Sequence, residues 1–372
     1  MSLKKIVNAI GLGQSRADRM KRIRAKSTKL VFSDLNFELE KRQLLATFSY
    51  SSGLLTIQTD STNEQLSIIS TSENGNYTIT TLGTWSGSPV SGLSNTSTDL
   101  YVNQPSGLAS ILVNDNGGTV SNSSFSFGAS SANFVSNLAV NFTNSTSGVI
   151  TVANAASFIN GMNLNLTTTG NQITVSNRTS VNSTGAISLT GRNISVGATI
   201  TSAAGNISLI GNGSGSYQAG SFQGVLIGSS VSSTEGGNIV IDGRGGSSGG
   251  EGVFVQQPVL TSNGAISITG DANVGKGIAV QGSSATIIAN GTNGSVTLTA
   301  FSGISGETRG MDFWNNAKVS TSDGPIILTG TSRSNSSDNG VWVEGNANVT
   351  AGNSGAVTVF GYGVEFCVVI DG

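Results

Sequence analysis

The chain has no histidine and a single cysteine, Cys367, among its 372 residues, and only 10% of it is charged. One thiol cannot make a disulfide within the chain, and a Cys/His zinc site is excluded. Cys367 sits in the strand-like run VEFCVVI and reads as an inert packed thiol. The scarcity of charge also separates this sequence from a disordered tail, which stays unfolded through high net charge and few β-branched residues. Long apolar runs are missing too. The short apolar piece around Ile6 to Leu12 falls well below the roughly 20 residues that cross a bilayer, so no membrane span is expected.

The charge that is present is unevenly placed. Residues 1–45 hold eleven Lys or Arg against four Asp or Glu, and the remainder holds seven against sixteen. No basic residue occurs between Arg42 and Arg178. The body therefore lacks the clustered positive face that grips a phosphate backbone, and no nucleic-acid partner is expected for it. The basic head reads as an export leader over 1–46. The alternative is a basic amphipathic helix that binds nucleic acid or anionic lipid in the cytosol.

What the body has in quantity is glycine, 51 residues, together with abundant Asn, Ser and Thr, and one phrase said again and again. GAISLTG begins at Gly185, GNISLIG at Gly205, GNIVIDG at Gly237 and GAISITG at Gly264. GSVTLTA, GPIILTG and GAVTVFG follow at Gly294, Gly324 and Gly355, so the later spacing settles near 30. Within each copy the apolar residues stand two apart, the signature of a strand with one buried face. The bounding glycines mark bends where a side chain would not fit or φ is positive.

A second phrase follows each regular copy: GVLIG at Gly224, GVFV at Gly252, GIAV at Gly277, GMDF at Gly310, GVWV at Gly340 and GVEF at Gly363. A third, weaker one appears around Val231, Val259, Ile287, Val319 and Val349. Three short strands per period cannot bury an apolar face alone, but stacked coils can. The expected fold is all-β: a parallel, right-handed β-helix solenoid with three-strand coils of about 30 residues and a short, partly helical leader. Residues 176–372 are expected to form the regular coils. Residues 47–175 read as irregular early coils or a capping β-domain. A β-propeller fits poorly, because its blades need four antiparallel strands in a longer period.

Two stretches carry resemblances. Leu39, Glu40, Arg42, Leu44, Leu45 and Ala46, behind a basic leader and ahead of β-rich repeats, resemble the N-terminal segment of large exported surface proteins of planctomycete bacteria. Phe37-Glu38 stands one residue too close to Leu39 for the full pattern. This resemblance implies export to the cell surface or the extracellular space. The G-x-I-x-I-x-G phrases over roughly 185–372 resemble the hemagglutinin-like and adhesin-like repeats of bacterial surface proteins. They imply surface exposure and attachment, and rarely imply chemistry. Polysaccharide or cell-surface glycans are the expected partners.

Some β-helices cleave polysaccharides, so an acidic pair across a groove must be sought. The middle residues of the second phrase form the column Leu226, Phe254, Ala279, Asp312, Trp342, Glu365, flanked by Glu307, Arg309, Trp314 and Glu344. Asp312, Trp314, Trp342, Glu344 and Glu365 are thus the candidate glycan-binding face, the rings for stacking and the acids for sugar hydroxyls. The competing readings are a solvated face and a catalytic pair, the latter in a secreted polysaccharide lyase or glycosidase built on Asp312 and Glu365. Asp242, Asp271, Asp323 and Asp338 lie in Gly- and Ser-rich turns that lack the order of calcium-binding repeats, so neither a metal nor a cofactor is expected. At the C-terminus Val364, Phe366, Val368 and Ile370 alternate close to the end, which predicts an open edge able to pair with another molecule.

Overall fold

The computed structural model describes residues 45–59, 64–72, 76–87, 90–103, 107–115, 123–128, 133–213, 215–305, 309–334, 339–363 and 368–370. They all belong to one compact unit, Leu44–Gly372. No described residue is helical, and the described residues form 36 strands in three sheets of 13, 14 and 9 strands. These are here sheets 1, 2 and 3. Each coil passes through them in that order. Ala265–Asp271 lies in sheet 1, Ile278–Gln281 in sheet 2 and Thr286–Asn290 in sheet 3; the next coil begins with Ser295–Phe301, parallel to Ala265–Asp271. The body is a parallel β-helix solenoid.

The repeated phrases are its rungs, in register. Ile187 pairs with Ile207, then Ile239, Ile266, Val296, Ile326 and Val357 in succession. Val231, Val259, Ile287, Val319 and Val349 form the matching column of sheet 3. Alternate residues enter the core, as in Ile187–Gly191, where Ile187, Leu189 and Gly191 are buried. Each buried Ile or Val stabilises the stack by about 1.5–3 kcal/mol, and only the neighbouring coils make that burial complete.

The leading glycines are required by space. A Cβ on Gly205 would stand 1.8 Å from the carbonyl oxygen of Gly185, and one on Gly237 2.0 Å from that of Gly205. None of these glycines takes a left-handed φ, so close stacking of corner on corner excludes the side chain. The neighbouring polar residues satisfy the same corner. Asn206 Oδ1 accepts from the backbone N–H of Asn238 (2.9 Å), and Asn238 Oδ1 from that of Ala265 (2.8 Å). Inside, the buried Thr261 hydroxyl donates to the Gly237 carbonyl (2.9 Å) and that of Ser202 to Gly185 (3.1 Å). The wealth of Gly, Asn, Ser and Thr is therefore the chemistry of tight corners.

Three boundaries differ from the sequence reading. Regular coils begin at Ser110–Asp115, Ser124–Phe127 and Asn133–Phe134, well before residue 176, and nine strands stack in sheet 3 from Asn133 to Ala351. Their corners carry glycine at Gly128, Gly148, Gly161 and Gly170 but in no repeated phrase, which hid the period. Residues 45–103 form the cap. Leu54–Thr59 lies parallel on Ser110–Asp115 but is joined to Leu45–Ser51 by a two-residue hairpin in which Ser52 and Gly53 both have positive φ. Gln65–Ser72, Asn76–Thr81, Asp99–Asn103 and Leu93–Asn95 add an antiparallel set to sheet 2. Leu45 and Ala46, assigned above to the leader, belong to this cap: Ala46 is fully buried and pairs with Trp85. Leu39, Glu40, Arg42 and Leu44 lie outside the described residues.

The third difference is at the far end. Val341, Trp342 and Val343 pair with Val368, Val369 and Ile370. The rung paired with them is VVI; Val364, Glu365 and Phe366 of the expected GVEF phrase, and Cys367, lie outside the described residues. Both segments alternate with period two, so pattern alone could not choose between them; strand pairing does.

Candidate functional site

The unequal coil lengths have one source. Between the first and second strands the chain passes through Arg192 alone in one coil, but through residues 212–224 in the next and 302–310 and 332–340 later. The other two corners stay short. Five of the body's seven basic residues, Arg192, Arg244, Lys276, Arg309 and Arg333, stand in or beside this insertion corner. The ion pairs of Asp271, Asp312 and Glu344 and the cation–π contacts with Tyr217, Phe222, Phe301 and Trp342 each involve one of them.

A first cluster centres on Asp271. Its carboxylate meets Arg244 Nε at 3.2 Å and Arg333 Nη1 at 2.7 Å, and accepts from the Tyr217 hydroxyl at 2.6 Å. Arg244 lies over the Tyr217 ring and Arg333 over Phe301. Burial and then the Asp271 carboxylate push the Tyr217 phenol up from its ordinary pKa. Arg244, Asp271 and Phe301 occupy one ladder position. The signal for these three was therefore in the sequence, one residue beyond the closing Gly243, Gly270 and Ala300. Asp271 already holds two guanidinium groups. Burial also raises the Asp242 carboxyl, with Arg244 working against it and Asp271 adding to it.

The second cluster contains the candidate glycan face. Asp312 follows Ala279 and precedes Trp342 in the outer column of sheet 2, as expected. It is not open to solvent, being only 3% exposed. Lys276 Nζ meets it at 2.5 Å and Arg309 Nη1 at 3.1 Å, and the same Arg309 nitrogen meets Glu344 at 3.1 Å. Arg309 lies 4.2 Å over the Trp342 ring, whose buried indole N–H has no partner. A column that points away from the core is exposed only where nothing covers it; here Lys276 of the preceding coil and Arg309 of the same coil do.

Of the expected face, the structure thus brings Asp312, Trp342 and Glu344 together around Arg309. Trp314, 44% exposed, stands at the end of its strand against Gly345. Glu365 and Glu307 lie outside the described residues, and the place beside Trp342 belongs to Val369 rather than Glu365. Chemically, a carboxylate buried under two cations is closed to a glycosidic oxygen, whereas the exposed Trp314 ring is free to stack on a sugar. Lys276 and Arg333 were not legible as partners, because each reaches its acid across the stack.

No group of His, Cys, Asp or Glu among the described residues could hold a metal ion. No helix among them is long and apolar enough to cross a membrane. Neither a protein-family model, nor a curated protein, nor a solved structure matches this chain.

Proposed function

We propose that this protein is an exported β-solenoid of the cell surface or extracellular matrix, with an adhesive or structural role and no catalytic one. The observation that carries the reading is the state of Asp312. The one acid centred on the candidate face is covered and neutralised by Lys276 and Arg309, while the ring beside it, Trp314, is exposed. Such a face contacts a glycan by stacking and hydrogen bonding and leaves its bonds intact. The resemblances to planctomycete export segments and adhesin-like repeats support the same reading, as does a stack whose sequence is spent on corners and core.

Two measurements test it. Fractionation of the native cell is expected to place the protein outside, with its N-terminus beginning near Leu45; recovery of the full chain from the cytosol overturns the export. Trp314→Ala should lower retention on immobilised polysaccharide while circular dichroism stays unchanged. Cleavage of any acidic polysaccharide by the wild type, lost in Asp312→Asn, would instead make the protein a lyase or glycosidase.

A further inference from the structure

The insertion corner holds a third feature, which adjoins the first cluster only at the segment that carries Tyr217 and Gln218. Three consecutive coils turn this corner briefly, through residues 143–148, 169–171 and Arg192, and the next coil inserts 212–224. The short corners leave a step, and the insertion stands beyond it as a wall. Between them lies an open groove of about 460 Å³, lined by Asn144, Ser145, Thr146, Thr169, Arg192 and Gln218 among others. It crosses three coil steps, about 14 Å at the ordinary strand spacing. Its floor is tight: a Cβ on Gly170 would meet the Ser145 carbonyl oxygen at 2.2 Å.

The lining is made of hydroxyls and amides with one cation. Arg192 is held in place from two sides, its guanidinium 4.6 Å from the Phe222 ring centre and donating to the Ala219 carbonyl. No carboxylate of the described residues pairs with it, unlike Arg244, Arg309 and Arg333. A guanidinium has five N–H donors, so most remain for a ligand, and its planar fork matches a carboxylate in particular. The nearby acid, Asp115, is buried three coils earlier and is occupied by the backbone N–H of Asn144 (2.8 Å) and its side-chain amide (3.3 Å). Ser145 adds an independent sign. It is 1% exposed, lies in the groove floor, and its hydroxyl has no hydrogen-bond partner. Buried polar groups are nearly always partnered, so an orphan at the base of a polar groove points to an absent ligand.

We propose that this groove binds a saccharide chain carrying an isolated carboxylate, with Arg192 taking the acid and the hydroxyl and amide lining taking the neutral sugar beside it. One pre-positioned cation suits one acid. A polymer with a charge on every sugar is opposed by the acidic body, which holds seven basic residues against sixteen acidic ones beyond residue 45. The proposal rests on the reading that the protein contacts glycans, and it adds the Arg192 groove to the tryptophan face as a second place of contact.

Calorimetric titration of the full chain tests it with three probes: a tetrasaccharide alternating a uronate with a neutral amino sugar, a neutral tetrasaccharide of the same amino sugar, and a polyuronate. The alternating chain should bind best. Arg192→Gln should weaken it about ten-fold or more, the worth of a charge-assisted hydrogen bond, without shifting the melting temperature. Arg192→Lys should keep part of the affinity, and Thr146→Trp, at an exposed position, should block the groove. Unchanged binding by Arg192→Gln overturns the proposal, as does equal affinity for the neutral chain or the polyuronate. Binding lost in Trp314→Ala but kept in Arg192→Gln would overturn the groove and leave the glycan-contacting face standing. Failure of all three probes would overturn the groove while leaving the surface location to its own test.

Discussion

The coils up to Phe158 and those from Ile187 onward share one backbone plan and fill it differently. The early interior is aromatic. Phe134 stacks on Phe158 at 4.7 Å and on Tyr77 at 5.5 Å, and Phe125 and Phe127 meet edge to face. The later interior is a ladder of Ile, Val and Leu in which each residue lies on its own kind one coil below, with Phe313 as a buried ring. Both stretches contain strands in which buried and partly exposed residues alternate throughout, as in Asn137–Phe142 and Ala265–Asp271. The lesson is that the coil is specified by alternation and strand pairing, and that the repeated phrase is one way among several of meeting that specification.

The hardest blow to this shared plan should fall on the ladder. Ile266→Asp places a charge at a position 1% exposed, between Ile239 and Val296, where no partner exists. A loss of several kcal/mol in denaturant unfolding is expected. Wild-type stability in this variant would mean that the inward face has been misassigned. Next comes the aromatic end, where Phe158→Ala empties a fully buried site and should cost about 3–5 kcal/mol. If that loss were small, the early coils would be loosely packed, and the comparison would become one of order against disorder.

Gly205→Ala probes the corner, which both stretches must turn. Its Cβ would fall 1.8 Å from a backbone oxygen, so neighbouring coils must shift, at about 2 kcal/mol or more by calorimetry. Tyr77→Phe separates ring from hydroxyl in the aromatic core. The Tyr77 hydroxyl accepts from the Val135 N–H at 3.0 Å and donates to Ser136 at 3.3 Å, so its removal should cost about 1–2 kcal/mol. Burial raises the phenol above its ordinary pKa despite these hydrogen bonds. The folded state therefore favours the neutral ring. That contribution is fully present below about pH 10 and is lost as pH rises through the raised value. Unfolding measured from neutral to alkaline pH should show this loss in the wild type and a smaller one in Tyr77→Phe; parallel curves would place the titration elsewhere. The smallest effect belongs to Ser267→Asp, one residue from Ile266 on the outer face, where a change within about 0.5 kcal/mol is expected.

How much could be read in advance follows the same division. The aliphatic coils announced themselves, because identical neighbours on a ladder produce identical phrases in the chain. The strand at Asn137–Phe142 has the same alternation and lies in the same sheet, yet its corner at 143–148 shares no residue pattern with the later corners, so the sequence showed it only as an irregular early coil or part of a cap. The site residues divide likewise. Asp312 and Trp342 were correctly placed in one outer column, since ladder position follows from counting residues. That Asp312 is covered was not legible, because Lys276 and Arg309 come from a corner whose path no repeat describes.

The sequence by itself determined the three-strand coil, the inward residues of the regular rungs and the need for glycine at their corners. All three depend on local alternation and on contacts that recur at a fixed distance along the chain. Only the tertiary structure decided where the regular stack begins, which of two alternating segments forms the last rung, and which charges meet at the insertion corner. Those outcomes depend on loops of unequal length that bring residues as distant as Tyr217 and Arg333 within 2.7 Å. No periodic signal records the path of such a loop; packing against the coils beneath it does.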